Sequence, residues 1–307
     1  MTPSPSPPSS LNIVAIIQAR MSSSRLPGKV LRDIDGRPML AWVVERTRRA
    51  GQIDAVVVAT TTNPSDDPIA EFCAAQGYAH TRGDVYDVLD RYYQAARQFD
   101  ADVIVRITAD CPLIDPQLID KTVLALWGNW KISILGTENQ SLIPNLPIYQ
   151  FSPIYHFVTN RLPPPWGRTY PIGLDVEVFR FESLARAWSE ATEKYQREHV
   201  TPYFYEGVPV EDLQFAPHLI PAGTGTSPRG FEIALLHHQT DLGHHRWTVD
   251  TAEDLQLVRE IVSRFPDDTF TWLDILSLFE REPELAQINA RVQHKSHRDV
   301  DKRNKKR

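Results

Sequence analysis

The chain has 307 residues, 42% of them hydrophobic, enough for one large α/β domain or one domain with elaborations. A formal net charge of −6 argues against a general polyanion-binding surface, so no nucleic-acid partner is expected and any anion site has to be local. Two cysteines, Cys73 and Cys111, lie far apart without CxxC spacing, which excludes a disulfide framework and a zinc ribbon and fits a reducing cytoplasm.

In chain order, residues 1–11 are rich in proline and serine and read as a disordered tail rather than a signal peptide. NIVAIIQ (12–18) is an apolar run of strand length, suited to burial on both faces. MLAWVVERTRRA (39–50) has helical spacing and reaches Gly51 as a C-cap. DAVVVATT (54–61) is a second buried strand, and SDDPIAEFCAAQG (65–77) a helix with acids at its start and glycine at its end. VLDRYYQAARQF (88–99) is an amphipathic helix whose Tyr92, Tyr93 and Phe99 read as packing. DVIVRITAD (102–110) is a third buried strand, and PQLIDKTVLALW (116–127) a helix. This alternation predicts an α/β fold, a Rossmann-like and mostly parallel sheet with helices on both faces. Beyond Trp127 prolines accumulate and the rhythm breaks into loops and short strands. GLDVEVF (173–179) is then a strand, RFESLARAWSEA (180–191) a helix, and QREHVTPYFYEG (196–207) a short helix that breaks at Pro202. PAGTGTSPRG (221–230) reads as a flexible surface loop, since its glycines do not match GxGxxG. RWTVDTAEDLQLVREIVSRF (246–265) is a strand followed by a helix, with Thr251 and Asp254 as a capping-box variant. TWLDILSLFERE (271–282) and PELAQINARV (283–292) are helices, and the end of the chain is a solvated, charged tail. No apolar run approaches the roughly 18–20 residues of a membrane helix.

Three places can carry chemistry. QARMSSSRLPGK (18–29) follows the first strand at its carboxyl end, where open α/β sheets bind ligands. Arg20 and Arg25 offer forked donors to phosphate oxygens, Lys29 offers a point charge, and the serines and Gly28 let backbone N–H groups approach. It is not a Walker A loop, which would need glycine at Ser23 and a hydroxyl at Val30. Asp110 follows the third buried strand and Asp250 precedes the helix after RWTVD. Each alone reads as a turn or helix cap; together they can hold Mg²⁺, which takes one or two carboxylates plus phosphate oxygens and water. The four histidines of HHQTDLGHH (237–245) fit no zinc spacing.

The segments IIQARMSSSRLPGKVL, VVVATT, NPSDDPI, RGDVYDVLDRYYQAA, VRITADCPLIDP, GLDVEVF, REHVTPY and RWTVDT occur here in the order of the spore coat polysaccharide biosynthesis protein F family, which the chain resembles from about Ile13 to Phe265. Its members are homologues of the CMP-KDO and CMP-sialate synthetases. The resemblance implies a cytidylyltransferase-like domain over 12–265 of the nucleotide-diphospho-sugar transferase type. Interruptions fall at 128–165 and 216–243, C-terminal helices at 266–292 and the charged tail at 293–307. It implies Gln18, Ala19, Arg20, Ser23, Arg25, Lys29, Thr60, Thr61 and Arg82 as nucleotide-binding residues, with Gly83 and Asp84 beside them. It also implies Arg20, Arg25, Lys29 and Asp110 as catalytic, and Asp110 and Asp250 as ligands of Mg²⁺. Asp175, Glu177, His199 and Arg168 are the expected acceptor contacts, with Arg197 and Arg246 as further cations for an acidic acceptor. Two departures stand out: Ser22 and Ala109 replace glycines of the family pattern, each adding a Cβ near the ligand.

The expected activity is transfer of CMP from CTP to a sugar, sugar acid or sugar phosphate, with release of pyrophosphate, in surface polysaccharide biosynthesis in the cytoplasm. A metal-dependent glycosyltransferase of the same fold is the alternative, and a non-catalytic nucleotide-binding homologue is another. The basic loop favours the first, because a glycosyltransferase needs no cradle for a departing pyrophosphate. A homodimer is compatible with the sequence, which leaves the oligomeric state and the acceptor open.

Overall fold

Strand β1 (Ile13–Gln18) organises the molecule, because its side chains alternate between two cores. Ile13, Ala15 and Ile17 face one layer and Val14 and Ile16 the other, all fully buried. The computed structural model describes residues 11–128, 153–163, 166–209, 214–215 and 222–293. The expected terminal tails and most of the interruption at 128–165 lie outside these residues.

After β1 come a two-stranded ribbon, β2 (Asp33–Ile34) with β3 (Arg37–Pro38), and helix α1 (Met39–Arg48). They are followed by β4 (Ala55–Thr61), α2 (Asp67–Gln76), β5 (Ala79–Gly83), α3 (Val88–Gln98), β6 (Val103–Thr108) and α4 (Pro116–Ala125). Strands β5, β4, β1 and β6 are neighbours in that order and parallel. The chain moves outward from β1 to β4 and β5, then returns through α3 to the other side of β1. The β1/β6 pair is therefore the switch point, and a crevice opens beyond its carboxyl ends. Helices α1, α2 and α4 cover one face, while α3 lies on the other.

The second half extends the sheet with β7 (Phe157–Thr159), β8 (Glu177–Arg180), β9 (Gln214–Phe215), β10 (Ala222–Thr226) and β11 (Glu232–Leu236). The nine strands run β5-β4-β1-β6-β8-β7-β11-β10-β9, with β8 and β10 opposed to their neighbours. Helices α5 (Phe181–Glu190), α6 (Lys194–His199) and α7 (Pro202–Tyr205) follow β8, and Leu184, Ala187 and Phe204 of α5 and α7 join α3 on its face. Helices α8 (Ala252–Val262) and α9 (Trp272–Arg281) close the α1 face. Among the described residues no helix is long and apolar enough to cross a membrane.

The mostly parallel α/β sheet matches the expectation; several local readings do not. PAGTGTSPRG is no loop: β10 pairs with all five residues of β11 through a turn closed by Gly230 N–H on Ser227 O. Thr and Gly alternate there without large side chains, so no hydrophobic period marked the strand. β5 was also missed, because AHTRG carries no apolar run and pairs on one side only. RWTVD is not a sheet strand. Its backbone makes a single bridge, Ile172 with Arg246, and then turns to Asp110. Helix α1 stops at Arg48, short of Gly51, and PELAQINARV yields only a 3₁₀ turn at Pro283–Gln287. Asn289 leaves that turn to donate to the Arg246 carbonyl and the Asp254 carboxylate.

Candidate active site

The loop after β1 is folded around one carbonyl. Met21 O accepts from the N–H groups of Ser23 and Gly28, at 2.9 and 2.8 Å, while Met21 N–H donates to Asp66. Gly28 has φ +70°, a left-handed conformation that glycine adopts without strain, and it opens the 3₁₀ turn Lys29–Leu31. That turn sends the Lys29 side chain inward. Ser22 and Ala109, which carry a Cβ where the family pattern has glycine, both keep a negative φ, so neither is strained.

Lys29 joins the two distant aspartates. Its ammonium donates to Asp110 Oδ2 at 2.9 Å, Asp250 Oδ1 at 2.9 Å and Val249 O at 2.7 Å. The two carboxylates are therefore no farther apart than twice a hydrogen bond. Backbone contacts set this approach: Asp110 O accepts from Val249 N–H at 2.8 Å and from the Thr248 hydroxyl at 3.0 Å. Thr248 is held in turn by Gly173, whose φ is +107°. A Cβ there would lie 2.5 Å from Thr248 N and 2.7 Å from the Trp247 carbonyl carbon. Asp250 Oδ2 receives Arg25 at 2.7 Å and Arg246 at 2.9 Å. Burial opposes the charged form of Asp250, but Lys29, Arg25 and Arg246 hold its carboxyl far below the usual carboxylate range. Burial likewise opposes the Lys29 charge, and the two aspartates more than restore it, raising its pKa. Desolvation and the neighbouring acids push the buried Cys111 thiol well above its ordinary value.

The remaining nucleotide-side residues divide. Gln18 Oε1 accepts from Arg106 at 3.1 Å, and Ala19 N–H pairs with Ala59 O, so both fix the crevice floor. Half-buried Arg20 approaches the buried guanidinium of Arg91, whose pKa falls to about 10 through burial, with Arg20's charge adding to it. Ser23 accepts from Leu26 N–H, supporting the turn. Thr60 and Thr61 are fully buried, and Thr61 donates its hydroxyl to Asp66. They shape the end of β4 from beneath and do not present hydroxyls to a ligand in this conformation. Arg82 ties β5 to the β4 loop through Thr61 O, Asn63 O and Asp67. Asp84 accepts from the N–H groups of Tyr86 and Asp87.

A second charged cluster occupies the same sheet edge. Glu177 lies opposite Arg106 in the β6–β8 register and pairs with it. It also accepts from the Thr201 hydroxyl at 3.1 Å, with Arg161 at 3.9 Å. Arg168 forks onto Asp175 at 2.6 and 3.2 Å. Thr201 follows Val200, a buried β-branched residue at φ +71°, a strained conformation costing about 1–3 kcal/mol. His199, half-buried, ends α6 beside it. Glu177 is thus a buried ion-pair partner and not an open acceptor contact, whereas Asp175 and Arg168 keep some exposure. Arg197 is used on Asp87 and two α5-end carbonyls, and Arg246 on Asp254 and Asp250. Both are held by these contacts in the structure.

Sequence reasoning missed Arg106, Arg161, Thr201, Thr248, Asp254's ion pair and the Gln293 carbonyl that receives Arg25 at 3.1 Å. Arg106 left a trace, a lone cation inside an apolar strand. The others lie in contacts between distant segments. Among the described residues no group of three or more His, Cys, Asp or Glu could hold a metal by itself. Two carboxylates this close fit a hard dication that takes its other ligands from phosphate and water.

Comparison with known proteins gives the family. A family model described as cytidylyltransferase matches residues 14–151. The 3-deoxy-manno-octulosonate cytidylyltransferase of Geobacter sulfurreducens is 31% identical over 261 residues, 81% of this chain and 99% of that protein. The spore coat polysaccharide biosynthesis protein SpsF of Bacillus subtilis is 27% identical over 282 residues, 90% of this chain and 97% of that protein. A solved cytidylyltransferase structure from Leptospira borgpetersenii superposes with a TM-score of 0.70 at 27% identity, over 92% of this chain and 100% of that one.

Proposed function

Because the chain belongs to the cytidylyltransferase family, we propose that it transfers CMP from CTP to a sugar, sugar acid or sugar phosphate and releases pyrophosphate, in surface polysaccharide biosynthesis in the cytoplasm. The observation that carries the reading is the meeting of Arg25, Lys29, Asp110 and Asp250 at the carboxyl ends of β1 and β6. Cations for a departing pyrophosphate stand against carboxylates for its metal, at the switch point where such sheets bind ligands.

In this reading Asp110 and Asp250 hold Mg²⁺, which when bound makes the α-phosphorus more electrophilic and offsets charge on the phosphates. The chain itself supplies position and charge. Arg20, Arg25 and Lys29 neutralise the leaving pyrophosphate, and stabilising a developing anion by fixed charge is usually the largest catalytic contribution once those charges are in place. Gln18 and Ala19 define the floor, and Gly28 lets the loop close around the phosphates. Arg168 and Asp175, half-buried at the same edge, orient the acceptor beside the α-phosphorus. Phosphoryl transfer needs little covalent participation from protein, so this set is sufficient in kind.

The test is incubation with CTP, Mg²⁺ and a panel of sugars, sugar acids and sugar phosphates, with pyrophosphate as the readout. CTP-dependent pyrophosphate release requiring one acceptor is the expected result. Release of a nucleoside diphosphate from a sugar nucleotide, with no pyrophosphate from any triphosphate, would overturn the proposal in favour of glycosyl transfer.

A further inference from the structure

Lys29 has three ammonium hydrogens and three oxygen acceptors: Asp110, Asp250 and the Val249 carbonyl. Both oxygens of Asp250 are occupied by cations, one by Lys29 and the other by Arg25 and Arg246. Counted together, Arg25, Lys29 and Arg246 balance Asp110, Asp250 and Asp254, and the cluster has no surplus charge. A dication approaching it meets carboxylates already neutralised, and a triphosphate meets cations already paired. Neither alone gains what it would from bare partners, since each must first break ion pairs of low exposure.

Resting on the nucleotidyl-transfer reading of this site, we propose that Arg25 and Lys29 are partner-exchanging residues: their pairing with Asp110 and Asp250 excludes the metal until a triphosphate draws both cations away. Metal and nucleotide then bind as one cooperative unit, because each removes the ion that blocks the other. The cluster divides into parts that move and a part that stays. Arg246 stays, fixed to Asp254 by two hydrogen bonds of 2.9 and 3.0 Å, while Asp254 is itself held by Asn289 and by the cap of α8. Arg25 moves most easily. Beyond Asp250 it reaches the Gln293 carbonyl, and it sits on a loop of serine, proline and glycine. Lys29 swings on a flexible four-carbon stem within the same loop. The exchange conserves ion pairs: cation–carboxylate contacts are replaced by cation–phosphate and metal–carboxylate contacts, with no charge left bare.

The probe is Mn²⁺, followed by its EPR signal, so that no turnover is needed. Wild type, Lys29→Met and Arg25→Met are titrated with Mn²⁺ alone and with CTP present, using the CTP–Mn²⁺ complex without protein as reference. Wild type is expected to bind Mn²⁺ at least 10-fold more weakly without CTP than with it. Lys29→Met is expected to bind Mn²⁺ at least 10-fold more tightly than wild type without nucleotide, and to lose most of the CTP dependence. Equal nucleotide-free affinity in wild type and Lys29→Met overturns the exchange while leaving the metal site standing. Absence of protein-bound Mn²⁺ under every condition overturns the metal reading itself, and the exchange with it. Should Lys29→Met not fold, the more exposed Arg25→Met carries the same comparison with a smaller gain.

Discussion

Glu177 and Asp250 both stand at the carboxyl edge of the sheet among arginines, yet they are built for different work. Glu177 is 4% exposed and is set by strand register: β8 lies against β6, which fixes Arg106 as its partner. Asp250 is 21% exposed and is set by loops, with Lys29 and Arg25 reaching it from the turn after β1. A strand-held pair cannot change partners without unzipping the sheet. A loop-held pair can, at the cost of a few torsions. The comparison separates a rigid frame from a site able to respond to ligand, and it shows similar chemistry put to two uses on one sheet edge.

The largest effect that can test this division is expected at the loop-held site. Asp110→Asn removes a carboxylate without changing shape, and turnover should fall roughly 10³-fold, about 4 kcal/mol, while the melting temperature hardly changes. Pyrophosphate release and a thermal melt measure both; unaltered turnover would remove Asp110 from the chemistry. The strand-held pair should behave in the opposite way. Glu177→Gln strands Arg106 in a buried position, and the loss of stability should be about 3 kcal/mol, read from the urea midpoint. If that variant melts like wild type but loses metal affinity, Glu177 belongs to the responsive site and the division is wrong. Gly173→Ala probes the link between the two. Its Cβ would collide with Thr248 N and the Trp247 carbonyl carbon at a φ of +107°. We expect a loss of about 2 kcal/mol together with slower turnover, because the displaced Thr248 carries Val249 and Asp250 away from Asp110.

The frame was legible in the sequence wherever burial on both faces left a continuous apolar run, as in NIVAIIQ and DAVVVATT. It was illegible where pairing is carried by backbone alone, as in the Gly and Thr alternation of β10. The site was legible in residue type and order but not in contact. Nothing in the spacing of Lys29, Asp110 and Asp250 states that one ammonium joins all three, because that depends on Gly173 and Thr248 bringing 245–250 onto Asp110. Asp254 shows how one residue hides a second role. Its helix cap could be read from Thr251, while its ion pair with Arg246 needed the fold. Glu177 differs in the other direction: it was expected at the acceptor, but whether its side of the strand is wet or buried depends on Arg106 in the neighbouring strand.

The smallest effect comes from a carboxylate with no cation among the described residues. Asp120, on α4, accepts the N–H groups of Gly51 and Gln52 at 3.0 and 2.8 Å, at the opposite end of the sheet. Burial raises its pKa to about 6, more than the two hydrogen bonds lower it. An unfolded aspartate titrates near about 3.9, so the folded state prefers the protonated form. The resulting stabilisation is complete below about pH 4 and is lost as pH rises through about 6. The acids held low by cations, Asp250 and Asp268, show the reverse: their contribution is lost only as pH falls below the ordinary carboxylate range. His156, His237 and His245, lowered by burial, work against Asp120 in this window, since their contribution is complete above about pH 6.5 and is lost as pH falls from there through their lowered values. The readout is therefore the difference between wild type and Asp120→Asn in thermal melts at pH 5 and pH 7. The variant, neutral at both, should lose the part of the pH 5 advantage that Asp120 supplies. An identical pH response in the two proteins would mean that Asp120 titrates like an exposed acid, and that an uncompensated carboxylate in this fold carries no penalty.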